Sequence, residues 1–453
     1  MGRTLAMLPA ALSIALAGCG NGIPAAPTPA VHPGWQTPVR LGPTAGSTTL
    51  SPTPTIASDA EGRAIAAWAD YAPTVDGGLY GRADVRAARF EPAGQWRAPV
   101  LLGDACCGVV YADVVMNLAG DAAVVWSRPS VSFFSPGAGW GPALLPPMPG
   151  AEDIGVALAE DGAAVAIWQG DDPAVTGGAW YDRQRLWGAR LSREGWGVPQ
   201  IISASEAPDY QPRALGVDRQ GNAMAMWVES GPPSLHHEPA ALWTNRFVRA
   251  SGWGTRERLA TLPNVTGWGG TPMTFDMHPD GHVAALWLGP GGLEASVYGA
   301  EGWTRPTIVG EARVAYPHVR MLPEGRAIAV WPSYDRGLEA ITFEEGRGWS
   351  AAEPLDGRPF PLAGYPGADL DLGVDGSGGA VVVWSQDERV RVARFSASGG
   401  WERPVTLQNT AAPGHSARIA VSPGGEAFAV WAERLPMYAG DEIWAAVYVP
   451  DRR

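Results

Sequence analysis

Asp375 to Leu407 reads DGSGGAVVVWSQDERVRVARFSASGGWERPVTL, and this unit recurs, with drift, eight times along the chain. Its first anchor is the tryptophan series Trp68, Trp126, Trp168, Trp227, Trp287, Trp331, Trp384 and Trp431. Six residues before each stands a glycine: Gly62, Gly120, Gly162, Gly221, Gly281, Gly325, Gly378 and Gly425. Eight matches in eight copies make this a true repeat, the first thing to establish in a chain of this length. The glycine supplies the positive φ of a tight turn. The short apolar run behind it, as in AIAAW or AVVVW, suits a strand buried on both faces.

A second series comprises Trp35, Trp96, Trp140, Trp196, Trp253, Trp303, Trp349 and Trp401, all after glycine except Trp96, which follows Gln95. A strand-like segment precedes most of them (VRAARF, RVRVARF) and another follows (RAPVLL, ERPVTL). Pro38, Pro99, Pro199, Pro306 and Pro404 lie three residues beyond their tryptophans. Proline donates no ladder hydrogen bond, so this fourth strand belongs on an edge. Successive members are 44 to 61 residues apart, the length of a four-stranded propeller blade. The first GW precedes any hairpin and the last hairpin, ending in EIWAAVYV, has no GW behind it. The expectation is an all-β, eight-bladed β-propeller, with seven blades as the alternative. Its N-terminal strand completes the C-terminal blade and removes two long sheet edges.

The 453 residues carry 21 tryptophans, 59 glycines and 42 prolines at 46% apolar content, which fits turns in a folded all-β chain rather than disorder. A start with Arg3, an apolar run LAMLPAALSIALAG and the segment Leu16-Ala17-Gly18-Cys19 resemble a bacterial lipoprotein signal. That resemblance implies a signal peptide over 1–18, a lipidated Cys19 with a proline-rich tether over 19–33, and one propeller domain over 34–453. An ordinary signal peptide with a chance cysteine is the alternative. Gly20 favours the outer membrane over retention at the inner one, so the expected address is the cell envelope, held through the lipid anchor only. A formal charge of −13 argues against nucleic-acid partners. The neighbouring Cys106 and Cys107 could close a vicinal disulfide or remain thiols.

The pattern DGxAxAxW followed by GWxxP resembles a repeat of bacterial secreted proteins and lipoproteins, and the unit VARFSASGGWERPVTL resembles the Asp-box blades of the sialidase superfamily. A weaker likeness, resting on FEPAGQW and on Cys106-Cys107, is to propellers with pyrroloquinoline-quinone-type repeats. These resemblances imply a fold, and a fold does not carry a function.

Candidate sites lie where loops and innermost strands meet. Tyr71, Tyr80, Tyr181, Tyr334 and Tyr438 fall in loops after second strands, and Tyr111, Tyr210, Tyr316 and Tyr365 precede innermost strands. Trp180 and Trp268 add to this face. Aromatic groups with polar tips stack on sugar rings or anchor protein partners. Asp113, Asp153, Arg213, His318, Arg320, Asp369 and Arg418 are candidates to line the central channel. The ligand-binding set is therefore Tyr111, Asp113, Trp180, Tyr181, Tyr210, Arg213, Tyr316, His318, Arg320, Tyr334, Tyr365 and Arg418. His236-His237-Glu238 and the turns at Asp171-Asp172 and Asp387-Glu388 lack metal-ligand spacing and read as solvated loops. No metal, cofactor or catalytic constellation is expected. The reading is a monomeric, non-enzymatic envelope module that binds a protein or a glycan. A sialidase-like hydrolase with its site at the channel mouth is the alternative.

Overall fold

The computed structural model describes residues 34–42, 53–71, 83–92, 94–105, 111–127, 129–147, 150–177, 183–203, 209–230, 240–263, 273–312, 314, 316–333, 335–355, 357–358, 369–435 and 440–450. Eight antiparallel sheets follow one another in chain order, seven of them built from sequential strands and the last completed by the first strand of the domain. Blade 1 is typical: innermost Thr55–Ser58, second Ala64–Tyr71, third Ala83–Glu91 and an outermost strand in two pieces, Gln95–Trp96 and Val100–Ala105. Prolines Pro99, Pro199, Pro306 and Pro404 occupy the gap between the two pieces, where no backbone N–H is needed. Innermost strands of successive blades lie side by side, and that of blade 8, Gly414–Val421, lies beside that of blade 1. The molecule is an eight-bladed β-propeller; the seven-bladed alternative falls.

Closure is as expected from the offset of the two tryptophan series. Val39–Gly42 pairs antiparallel with Asp441–Tyr448, matching Val39 with Ala445 and Arg40 with Trp444. Gln36 N–H reaches Val447 O at 2.7 Å and Val449 N–H reaches Gly34 O at 3.0 Å. Trp35 packs on Tyr448 at a ring separation of 5.6 Å. The first strand of the domain is thus the outermost strand of its last blade.

Two local devices explain why the repeat folds this way. The eight glycines before the first tryptophan series all have positive φ, from +67° to +98°, a region costly for residues with a Cβ. At the head of the same turn Asp59, Asp218 and Asp375 each accept two backbone N–H groups, from the residues two and four further on, at 2.8–2.9 Å. A short carboxylate thereby imitates a backbone turn.

The tryptophans then join the blades. Each of the first series is no more than 2% exposed. Trp68 packs on Val430, Ala432 and Ile443 of the preceding blade 8, and Trp126 on Ile65, Ala67 and Val85 of blade 1. A Cβ on Gly103, in the outermost strand of blade 1, would lie 2.8 Å from the Trp126 ring. That position must stay small for the next blade to dock. The second series packs instead on the third strand of its own blade. Phe90–Trp96, Phe343–Trp349 and Tyr298–Trp303 have ring separations of 5.2–5.6 Å, the first and last of them edge-on, a favourable geometry. Tyr298 and Tyr448 therefore belong to the repeat's packing.

Candidate functional site

Strand register brings one residue of every blade to the same level of the channel wall. It is the innermost-strand residue paired with the one just before the buried tryptophan: Thr55, Asp113, Gly155, Ala214, Thr274, His318, Asp371 and Arg418. Two residues further along each strand a second level comprises Ala57, Val115, Ala157, Gly216, Asp276, Arg320, Gly373 and Ala420. Side chains on one strand face recur every second residue, so polarity is read directly from these two levels. Blades 3 and 4 contribute only glycine and alanine. The ionisable groups gather on blades 2 and 5 to 8.

These groups bridge neighbouring blades. Asp276 accepts the N–H of Met321 at 2.7 Å, and Thr274 Oγ1 that of Val319 at 3.3 Å. Asp371 accepts the N–H groups of Leu372 and, across to blade 8, Ile419, at 2.8 and 3.0 Å. Its Oδ1 also lies 3.4 Å from Arg320 Nη2 and 3.5 Å from His318 Nδ1. Innermost strands have an unpaired edge, and these carboxylates satisfy it.

Burial pulls the Asp371 carboxyl upward, but the hydrogen bond from His318 and the charges of Arg320, His318 and Arg418 outweigh it and hold it at about 2. Burial lowers the His318 imidazole below its usual value, against the pull of Asp371. Asp113 differs. Its side chain is exposed to solvent within the ring, yet enclosure by protein raises its carboxyl, opposed by the Val114 N–H and the Arg418 charge. Asp276 is also raised, burial dominating over Arg320.

At the channel mouth, Tyr111 is 40% exposed and its hydroxyl donates to Asp153 of blade 3. Asp153 (φ +48°), Tyr316 (φ +33°) and Ser416 (φ +56°) adopt left-handed backbone at the starts of innermost strands. Blades 3, 4 and 8 carry register shifts there. Strain and bulges of this kind re-aim side chains at rims.

The structure brings Asp113, His318, Arg320 and Arg418 to the channel wall, and places Tyr111 and Tyr316 at its mouth. Tyr210 and Arg213 lie in the innermost strand of blade 4, paired with Glu229 and Trp227. Trp180, Tyr181, Tyr334, Tyr365, Cys19, Cys106 and Cys107 lie outside the described residues. Sequence reading missed Asp276 and Asp371; Asp369 falls two residues before Asp371, the place that Tyr111, Asp153 and Tyr316 hold in their blades. Among the described residues, no group of three His, Cys, Asp or Glu side chains is arranged to hold a metal ion.

A second set of polar groups sits at the mouths of the blades, beneath the first tryptophan series. Indole N–H groups of Trp68, Trp227, Trp384 and Trp431 donate to Asp70, Glu229, Gln386 and Glu433, each two residues on, at 2.8–3.3 Å. Where that position is Gly289 or Ser333, a glutamate paired opposite the tryptophan on the third strand accepts instead: Glu294 for Trp287 and Glu339 for Trp331. Trp168 has Gly170 there, and the carbonyl of Gly170 is taken by Trp187. Arginines approach several of these acids. Arg256 pairs with Glu229 while stacking over Trp243 at 3.8 Å.

Asp70 is raised to about 6, burial prevailing over Arg86 and the Trp68 indole. Arg86 Nε lies 2.9 Å from Asp70 Oδ2 but out of hydrogen-bonding alignment, so the contact is ionic without being directional. The folded-state pKa stands above the unfolded one, so the folded state binds the proton more tightly. This group's contribution is therefore most favourable below pH 4 and is lost as pH rises from about 4 to 6. Asp70→Asn should flatten stability across that window, by roughly 1–3 kcal/mol, as read by urea unfolding at pH 4 and pH 7. An unchanged slope would contradict the assignment.

No protein-family model matches the sequence, and no curated protein matches it. Among solved structures, the fold is similar to the BP39L lectin of Burkholderia pseudomallei, with TM-score 0.52 and 14% identity, covering 79% of this chain and 99% of that one. A lectin of Aleuria aurantia, in complex with Fucα1-6GlcNAc, gives 0.43 and 9% over 80% and 98%. Virginiamycin B lyase of Staphylococcus aureus gives 0.43 and 12% over 74% and 94%. At these identities the likeness is one of fold.

Proposed function

We propose that the protein is a lipid-anchored binding module of the bacterial cell envelope, without catalytic activity, which recognises a glycan at the tyrosine-bearing mouth of its channel. The observation that carries this reading is the state of Asp371. It is engaged at once by His318, Arg320 and two backbone N–H groups. A carboxylate so held braces the ring and is poorly placed to exchange protons with a substrate. Among the described residues, the Tyr111–Asp153 pair at the mouth and Asp113 just inside it are open to solvent, hydrogen-bonding groups beside an aromatic side chain. That combination suits sugar hydroxyls and sugar rings. The similarity of fold to a propeller lectin is in keeping with it.

The hydrolase reading draws on one observation, the raised carboxyl of Asp113 near Arg418, which could serve as a proton donor. Tyr111→Phe and Asp113→Asn separate the two. Under the binding reading each weakens retention on an immobilised glycan at least fivefold, and the wild type releases no product. Full retention by both variants would count against the mouth as the site.

A further inference from the structure

The geometry points to a second ligand site, in the cleft between blades 8 and 1, shaped for one neutral sugar unit. The inference takes only its ligand class from the glycan reading; the site itself is separate from the channel mouth. The cleft has a volume of about 290 Å³, against about 140 Å³ between blades 1 and 2 and about 100 Å³ between blades 2 and 3. The first figure approaches the lower range of small-molecule pockets, about 300 Å³. Its lining includes Gln36, Thr37, Val39, Arg40, Gln95 and Trp96.

The contrast with the junction of blades 3 and 4 shows which group this cleft leaves uncapped. There Gln200 reaches across, and its Oε1 accepts the backbone N–H of Trp253 at 3.2 Å. Phe247 pairs with Trp253, and Gly254 N–H bonds Arg246 O, so Trp253 N–H points away from its own blade. Trp96 has the same register: Phe90 pairs with it and Arg97 N–H bonds Arg89 O. Its N–H faces outward too. Val39 occupies the place of Gln200, because Val39 pairs with Ala445 as Gln200 pairs with Gly188. Valine has no hydrogen-bonding group to offer and is 43% exposed. A donor that Gln200 caps at the junction of blades 3 and 4 is thus left facing a cleft.

The lining chemistry specifies the ligand. Gln36, Thr37 and Gln95 are exposed and can donate to and accept from hydroxyls. Trp96 and Val39 supply an apolar side, as a sugar ring requires. Arg40 carries the only charge in this lining, and Glu442 neutralises it at 2.7 Å. An anionic ligand would have to displace that glutamate; a neutral one would not.

Titration of the purified full-length protein with a panel of methyl glycosides of neutral hexoses and 6-deoxyhexoses, followed by the indole and backbone NMR signals of Trp96, tests the site. The wild type should show saturable shifts at Trp96. Val39→Gln, which supplies the plug that blades 3 and 4 already have, should abolish them or weaken binding at least tenfold. Gln200→Val should create new shifts at Trp253. Persistence of the Trp96 shifts in Val39→Gln, or their absence from the wild type, overturns the inference. If glycosides bind and only Tyr111→Phe weakens them, the glycan reading stands and the cleft falls. If no glycoside or glycan binds anywhere, both fall.

Discussion

Deletion of residues 34–42 will open the ring, and the shortened protein should unfold at a markedly lower denaturant concentration than the full one. The segment contributes the buried side chains Trp35 and Leu41, 6% and 9% exposed. Their burial alone is worth roughly 3–6 kcal/mol. The ladder to Asp441–Tyr448 adds to this. Loss of the strand also bares the edge of Asp441–Tyr448, a template for pairing with other chains. Size-exclusion chromatography should therefore show association together with the lower midpoint. Deleting residues 20–33, which lie before the closing strand, should leave both measurements unchanged. Equal midpoints for the two deletions would mean that the ring does not depend on this closure.

Trp331→Ala should cost about 3–5 kcal/mol, the range for emptying a fully buried aromatic site. Trp331 packs on Leu286, Leu293 and Ala295 of blade 5, so the loss falls on the seam between blades 5 and 6. The phenylalanine variants give a finer test. Trp331→Phe also leaves Glu339 without its indole donor at 3.2 Å, and a buried acceptor left unpaired costs about 1–3 kcal/mol. Trp168 donates to no carboxylate among the described residues, since Gly170 stands where the acid would be. Trp168→Phe should therefore be the milder change. Guanidinium unfolding of both variants settles the order. A Trp168→Phe cost equal to or above that of Trp331→Phe would remove the indole–carboxylate pair as a source of stability.

The architecture was legible because a glycine six residues before a tryptophan marks the same turn and strand in all eight copies, and a second tryptophan recurs once per copy. The channel was only partly legible, for a reason of register. A residue thirteen positions before the buried tryptophan faces the channel in every blade, and eleven marks the next level. Asp113, His318 and Arg418 satisfy the first spacing and Arg320 the second. Asp371 and Asp276 satisfy them equally and were passed over. Asp369 stands fifteen before Trp384, and Arg213 stands fourteen before Trp227, where Ala214 holds the channel position. Choosing by charge within a strand, without fixing its register to the tryptophan, picks positions one or two residues away from the channel level. The acids beneath the tryptophans were readable as well. An acid or amide two residues on accompanies Trp68, Trp227, Trp384 and Trp431, and third-strand glutamates serve Trp287 and Trp331. The Val39 cleft was not readable, since it exists only by contrast between two blade junctions.

The uneven distribution of charge around the channel gives the molecule a polar side on blades 5 to 8 and a plain side on blades 3 and 4. The polar groups there brace the strands that carry them. Recognition at the mouth would thus rest on a scaffold held rigid by the residues just beneath it.

The central claim is recognition of a glycan without turnover. Its most direct test is a glycan-array screen of the purified protein, with each bound glycan then incubated with the protein and analysed by mass spectrometry. The account predicts retention of a defined set of glycans, all recovered intact. Cleaved products from any of them, or a blank array, would contradict it.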